Sequence, residues 1–201
     1  MFIKAGEIMQ PQKKRLDFNI GPIKVKFRNE FQRIFEIKES EDSKFNVLEI
    51  GYLEYNDICV VLAVKEDTED ETVIPFIAET KKDDEYIIMF DYECYMKIND
   101  QKYRCYIAHE LGHIVSEIKG KKFPLQSYED KEQEALANIV NQNEHSADLE
   151  ALGLLRNKNT YINSLNYLID RFNEIVPNNS DEIKKKNIYI QTMKLRISAL
   201  N

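Results

Sequence analysis

The sequence is poor in several features that announce common functions. Among 201 residues there are only three cysteines and three histidines. Cys59, Cys94 and Cys105 form an odd, scattered set without a CxxC pair, which argues against a disulfide framework and for reduced thiols. Positive charge is in deficit: 28 Lys and Arg against 35 Asp and Glu leave a net charge of −7. Nucleic-acid binding asks for a basic face, and the short run from Lys119 to Lys122 does not reverse the balance. No nucleic-acid partner is therefore expected. Long apolar runs are missing as well. Nothing approaches the roughly 18 consecutive apolar residues of a membrane span, and the N-terminal stretch lacks the apolar core of a secretory signal. The expectation is a cytoplasmic protein with no membrane partner.

What is present is enough for one sizeable core: 43% of the residues are apolar, and the length suits a single domain over 1–201. Up to about residue 99 the chain reads as strand-rich. Segments 44–55 and 57–66 are rich in Val, Ile, Leu and Tyr, and "YND" between them predicts a hairpin turn. The acidic run 65–71 reads as a solvated loop. Segment 72–79 is a short strand that Pro75 would place at an edge, and "EYIIMFDYECYM" (85–96) is the clearest strand. Before these, Phe27, Phe31, Ile34 and Phe35 recur at helical spacing within 25–39.

From about residue 100 the period changes. Ile107, Ala108, Leu111, Ile114, Val115 and Ile118 form one stripe of a helix over 100–119 that Gly120 stops. A long helix follows from about 128 to 156, with a possible break at 141–143. Two more are predicted over 160–176, ended by Pro177, and over 180–200 with Ser180 as N-cap. The fold class expected is α+β: a small mixed sheet in the N-terminal part, packed on a helical body of about 100–201.

The scarce histidines are not spread at random. "YRCYIAHELGHIVSEIKG" (103–120) holds His109 and His113 four apart with Glu110 between them, and "NEHSADLEALGLL" (143–155) holds the third. On a helix, residues at i and i+4 project side by side, so both imidazoles can reach one ion. This is the HExxH pattern, in which two histidines bind zinc and the glutamate stands beside a water at the metal as general base. A catalytic zinc needs a third protein ligand. Glu144 is favoured because it shares a small, mostly apolar face with Ala137, Val140, Ala147, Asp148 and Ala151, where a buried carboxylate calls for a cation. His145, on a wetter face, and Asp148 remain alternatives. Asp148, one turn after Glu144, suits a second duty: accepting the free N–H of a liganding imidazole, His109 first. An ordinary surface aspartate is the competing reading.

"AHELGH" on one helix, followed by Glu144, Ala147 and Asp148 on a later one, resembles the gluzincin branch of zinc metallopeptidases. Within that branch, residues 85–115 and the second motif look like the ImmA/IrrE-like metallopeptidases of phage and mobile elements. The likeness covers about 85–155, and Glu150 departs from it where that group carries an aromatic residue. It implies a zincin-like fold and a zinc enzyme that hydrolyses a protein or peptide substrate, such as one regulatory protein. Glu110 would take a proton from the attacking water and pass it to the leaving amine. It further implies an extended substrate lying along a sheet edge, with Tyr86–Asp91 as the candidate strand, unless that strand is interior. An oxyanion-supporting tyrosine is implied too, and Tyr106, Tyr128 and Tyr161 are the candidates. The competing class is a regulatory or interaction protein that keeps the metal-binding scaffold without general proteolysis.

Overall fold

The computed structural model describes residues 15–28, 34–38, 44–65, 77–82, 85–91, 95–96, 98–120, 133–177 and 179–201. It is an α+β protein that divides into two compact units, one carrying the strands through Ile98 and one carrying four helices from Asn99 onward. Among the described residues no helix is long and apolar enough to cross a membrane.

The strand unit is one sheet of seven described strands: β1 (Phe18–Ile20), β2 (Ile23–Phe27), β3 (Ile34–Lys38), β4 (Lys44–Tyr55), β5 (Ile58–Lys65), β6 (Ile77–Lys82) and β7 (Glu85–Asp91). Their order is β1-β2-β4-β5-β7-β6, with β3 also paired to β4. β4 and β5 form the expected hairpin. Its turn residues Asn56 and Asp57 both have positive φ, 48° and 65°, the backbone that a two-residue turn of matching twist requires. β5 and β7 run parallel and are buried on both faces from Val60 to Val64 and from Ile87 to Phe90. This is the near-continuous apolar run expected of a covered parallel pair. Each such fully buried side chain contributes about 1.5–3 kcal/mol.

Two expectations fail here. The helix predicted over 25–39 is instead β2 and β3, both antiparallel to β4. In "IKVKF" the apolar residues alternate, Ile23 and Val25 are buried with Lys24 exposed between them, and the long β4 supplies backbone partners. The strand Tyr86–Asp91 offers no free edge, because β7 lies between β5 and β6. Among the described strands the terminal one on that side is β6, which starts at Ile77. Residues 66–76, with the acidic run and Pro75, lie outside the described residues.

The helical unit contains α1 (Asp100–Ile118), α2 (Gln133–Leu155), α3 (Lys158–Glu174) and α4 (Ser180–Leu200). α1 starts where the Asn99 side chain accepts the Lys102 N–H at 2.9 Å, and it ends before Gly120, whose φ is +67°. α2 runs without the break expected at 141–143, and ends at Arg156 with φ 53°. α3 is capped by Asn157, which accepts from Thr160 N–H at 3.0 Å. α4 is capped by Asn179, whose side chain accepts the Glu182 N–H at 2.9 Å, so Ser180 is the first helical residue and not the cap. α1 packs on α2 and α3, and α4 packs on α2 and α3. From Tyr103 to Ser116 α1 is buried on nearly every side, although Ile118, placed on its apolar stripe by spacing, is exposed.

Candidate metal centre

The site is assembled where α1 crosses α2. At the crossing Gly112 lies against the Ala147 backbone: a Cβ there would sit 2.4 Å from the Ala147 carbonyl oxygen. Only glycine on one helix and a small residue on the other permit so close an approach. Ser116 Oγ and Ser146 Oγ, 3.0 Å apart, tie the same two helices one turn further on. Glu144 and Asp148 bracket Ala147 on α2, as His109 and His113 bracket Gly112 on α1, so close packing at the centre sets the four side chains against each other.

His109, His113 and Glu144 lie at distances from which the three side chains could hold a metal ion. His109 Nε2 and His113 Nε2 are 3.2 Å apart. Glu144 places Oε2 at 3.2 Å from His109 Nε2 and Oε1 at 3.4 Å from His113 Nε2. A tetrahedral ion with bonds of about 2.0–2.1 Å sets its ligand atoms about 3.3 Å apart. Two imidazoles and one carboxylate at this spacing fit zinc in size and in donor type. Their side chains are 10%, 12% and 23% exposed. His145 is not in this group; its Nδ1 is buried and meets no hydrogen-bond partner.

Asp148 is fully buried and stands behind His109, with Oδ1 3.0 Å from Nδ1. An N–H held there fixes the tautomer and leaves the Nε2 lone pair for a metal. The Tyr161 hydroxyl from α3 donates to the same Asp148 oxygen at 2.5 Å and lies 3.0 Å from His109 Nδ1. Tyr161 therefore works on the far side of His109 from the ligand cluster, and not as an oxyanion support. Tyr106 is also committed, its hydroxyl donating to the Ser164 carbonyl at 3.1 Å. Tyr128 lies outside the described residues, as do the side chains of Ala137 and Val140 that were placed on the Glu144 face. Cys105 is buried with Sγ 3.9 Å from the Thr160 carbonyl, away from the cluster. Glu150 bridges to Lys119 at 2.8 Å at the end of α1.

One residue entered no expectation drawn from sequence. Arg196, from α4, binds both oxygens of Asp148, with Nε 3.0 Å from Oδ2 and Nη2 2.6 Å from Oδ1. Its Nη1 is 2.9 Å from Glu144 Oε2. The available signal was periodicity: Met193, Arg196 and Leu200 share one helical stripe, and all three are buried.

The charges sort accordingly. Burial pushes the Glu144 carboxyl up, but the two imidazoles and Arg196 outweigh it and hold it well below the usual carboxylate range. Asp148 is likewise held low, against its burial, by Arg196 and His109. Burial and the Arg196 charge both disfavour protonated His109, yet the Asp148 and Glu144 carboxylates prevail and push it up to about 9. The cluster thus attracts positive charge, as a proton or as a metal ion. Glu110, buried on α1, goes the other way: desolvation raises it above the usual carboxylate range against the pull of His109 and His113. Comparison with family models, curated proteins and solved structures returns no match.

Proposed function

We propose that the chain is a zinc-dependent metallopeptidase of the gluzincin type, acting on a protein or peptide substrate of narrow choice. The observation that carries this is the His109–His113–Glu144 cluster at 3.2–3.4 Å with the buried Glu110 on the same helix. A metal site that served structure alone would have no use for a desolvated carboxylate beside it. Bound by these three ligands, zinc would supply a Lewis acid for the scissile carbonyl and acidify a neighbouring water. Glu110 takes the proton of the attacking water and returns it to the leaving amine. Its raised pKa matches that double duty. Asp148 and Tyr161 keep His109 turned with Nε2 towards the ligand cluster while bonds are made and broken.

The test is a pair of substitutions read for metal and for cleavage. Glu110→Gln is expected to retain about one zinc per chain while chelator-sensitive cleavage of the lysate protein cut by the wild type falls by roughly 10²–10⁴-fold. Wild-type cleavage by that variant would remove the general-base role. Glu144→Ala is expected to fold and to lose zinc affinity by more than about 100-fold. Normal zinc retention would remove Glu144 from the ligand set. Zinc uptake with no chelator-sensitive cleavage of any lysate protein would favour the interaction-protein reading.

A further inference from the structure

Hydrolysis as described leaves the Arg196 guanidinium without a task. It is 6% exposed, arrives from the last helix, and reaches two carboxylates and an imidazole at once. The Glu144 oxygen it pairs with, Oε2, is the one that faces His109 Nε2. Its Nη2 lies 3.0 Å from His109 Nδ1 and 3.3 Å from Nε2. The lone pairs of one imidazole diverge, so an atom that near both nitrogens lies against the ring and not on the Nε2 axis. Arg196 therefore stands beside the ion's position, off the His109 Nε2 axis, with its Nη1 on Glu144 Oε2.

Burying Glu144 and Asp148 together is costly unless a cation accompanies them. Before a metal arrives, Arg196 is that cation. When a divalent ion arrives, the same guanidinium becomes a like charge a few ångströms away, in a site where water screens poorly. We propose that Arg196 is the resident cation of this centre: it stabilises the metal-free fold by neutralising Glu144 and Asp148, and it weakens metal binding by staying beside the ion. This rests on the reading of His109, His113 and Glu144 as metal ligands, and not on peptide hydrolysis. Were Arg196 only a brace for Asp148, its loss would act like the loss of any partner behind a ligand and weaken binding 10–100-fold. Asp148 keeps its bond from Tyr161 when Arg196 is gone, so the orientation of His109 persists and the charge effect decides the sign.

The test is zinc affinity by competition with a chromophoric chelator, together with thermal unfolding of the full chain stripped of metal and loaded with zinc. Arg196→Met is expected to bind zinc about tenfold tighter or more. Its metal-free Tm should fall by several degrees, and zinc should raise its Tm by more than it raises that of the wild type. Arg196→Lys keeps the charge and is expected to stay within about threefold of wild-type affinity, since the fork geometry is secondary here. If Arg196→Met cannot be purified free of metal, Arg196→Met with Asp148→Asn removes one charge of each sign. That variant should bind zinc about tenfold tighter than Asp148→Asn alone. Unchanged or weaker binding on removal of Arg196, in either background, overturns the proposal while the ligand assignment stands. A wild-type chain that takes up no zinc overturns both.

Discussion

The two units bury charge in different ways. In the sheet, Glu49 is buried against Arg28, Oε1 to Nε at 2.6 Å, and Arg15 is buried on the Tyr95 and Ile98 carbonyls. Arg28 also lies over the Tyr52 ring and Arg15 over the Tyr95 ring, in a core of Val, Ile and Leu. In the helical unit His109, Asp148, Arg196 and the Tyr161 hydroxyl are buried within one network that also reaches Glu144 and His113, with Glu110 buried close enough to feel their charges. Guanidinium contacts of this kind satisfy a fold. A connected set whose members pull each other's protonation in opposite directions is what chemistry requires. The sheet therefore reads as scaffold and the helices as site.

The sharpest way to break that contrast uses two glycines. A Cβ at Gly112 would meet the Ala147 carbonyl oxygen at 2.4 Å, and a Cβ at Gly51, beside the β4 register shift, would meet the Lys26 carbonyl oxygen at 2.3 Å. Either alanine forces backbones apart and is expected to cost about 1–3 kcal/mol in denaturant unfolding. Only Gly112→Ala should also weaken zinc binding, by more than about 100-fold, because it separates the helices that carry the ligands. Equal zinc affinity in the two variants would dissolve the division between scaffold and site.

A second effect is set by pH. All three histidines belong to the helical unit, and His109 is pushed up to about 9. A proton held there must leave before zinc binds, so affinity should climb about 50-fold between pH 7 and 9 and level off above. The sign for the metal-free fold is opposite. A raised imidazole contributes stability that is full below about 6.5 and lost as pH rises through about 9. Hydrogen exchange should show the helices loosening over that window while the sheet is unchanged. A zinc affinity that is flat from pH 7 to 9 would mean that His109 is already neutral.

The smallest effect concerns single hydrogen bonds. Tyr161→Phe removes one of the groups at His109 Nδ1 and should weaken zinc binding about tenfold. Glu49→Gln breaks the buried pair of the sheet and should lower stability with no change in zinc affinity.

How much of this was legible depends on how local each signal is. His109, Glu110 and His113 are one turn apart, and helix geometry alone brings them together. Glu144 and Asp148 were readable as a second turn, but which carboxylate reaches the imidazoles depended on a helix crossing. The β2–β3 region misled because four aromatic and aliphatic residues matched a helical period, while β4, distant in sequence, offered strand pairing. For Arg196 the helical stripe with Met193 and Leu200 signals burial, but its role is not local, because its partner Asp148 lies 48 residues away.

By itself, then, the amino-acid order determined the class of fold, the helix that carries both imidazoles and the short-range geometry of the donors, because these follow from backbone period and spacing. The tertiary structure decided which acid faces the two Nε2 atoms, that Tyr161 stands behind His109, and that a guanidinium from the last helix shares the burial of two carboxylates. Those outcomes turn on how closely helices approach and on the cost of leaving buried charge unpaired, and neither quantity belongs to a single segment of chain.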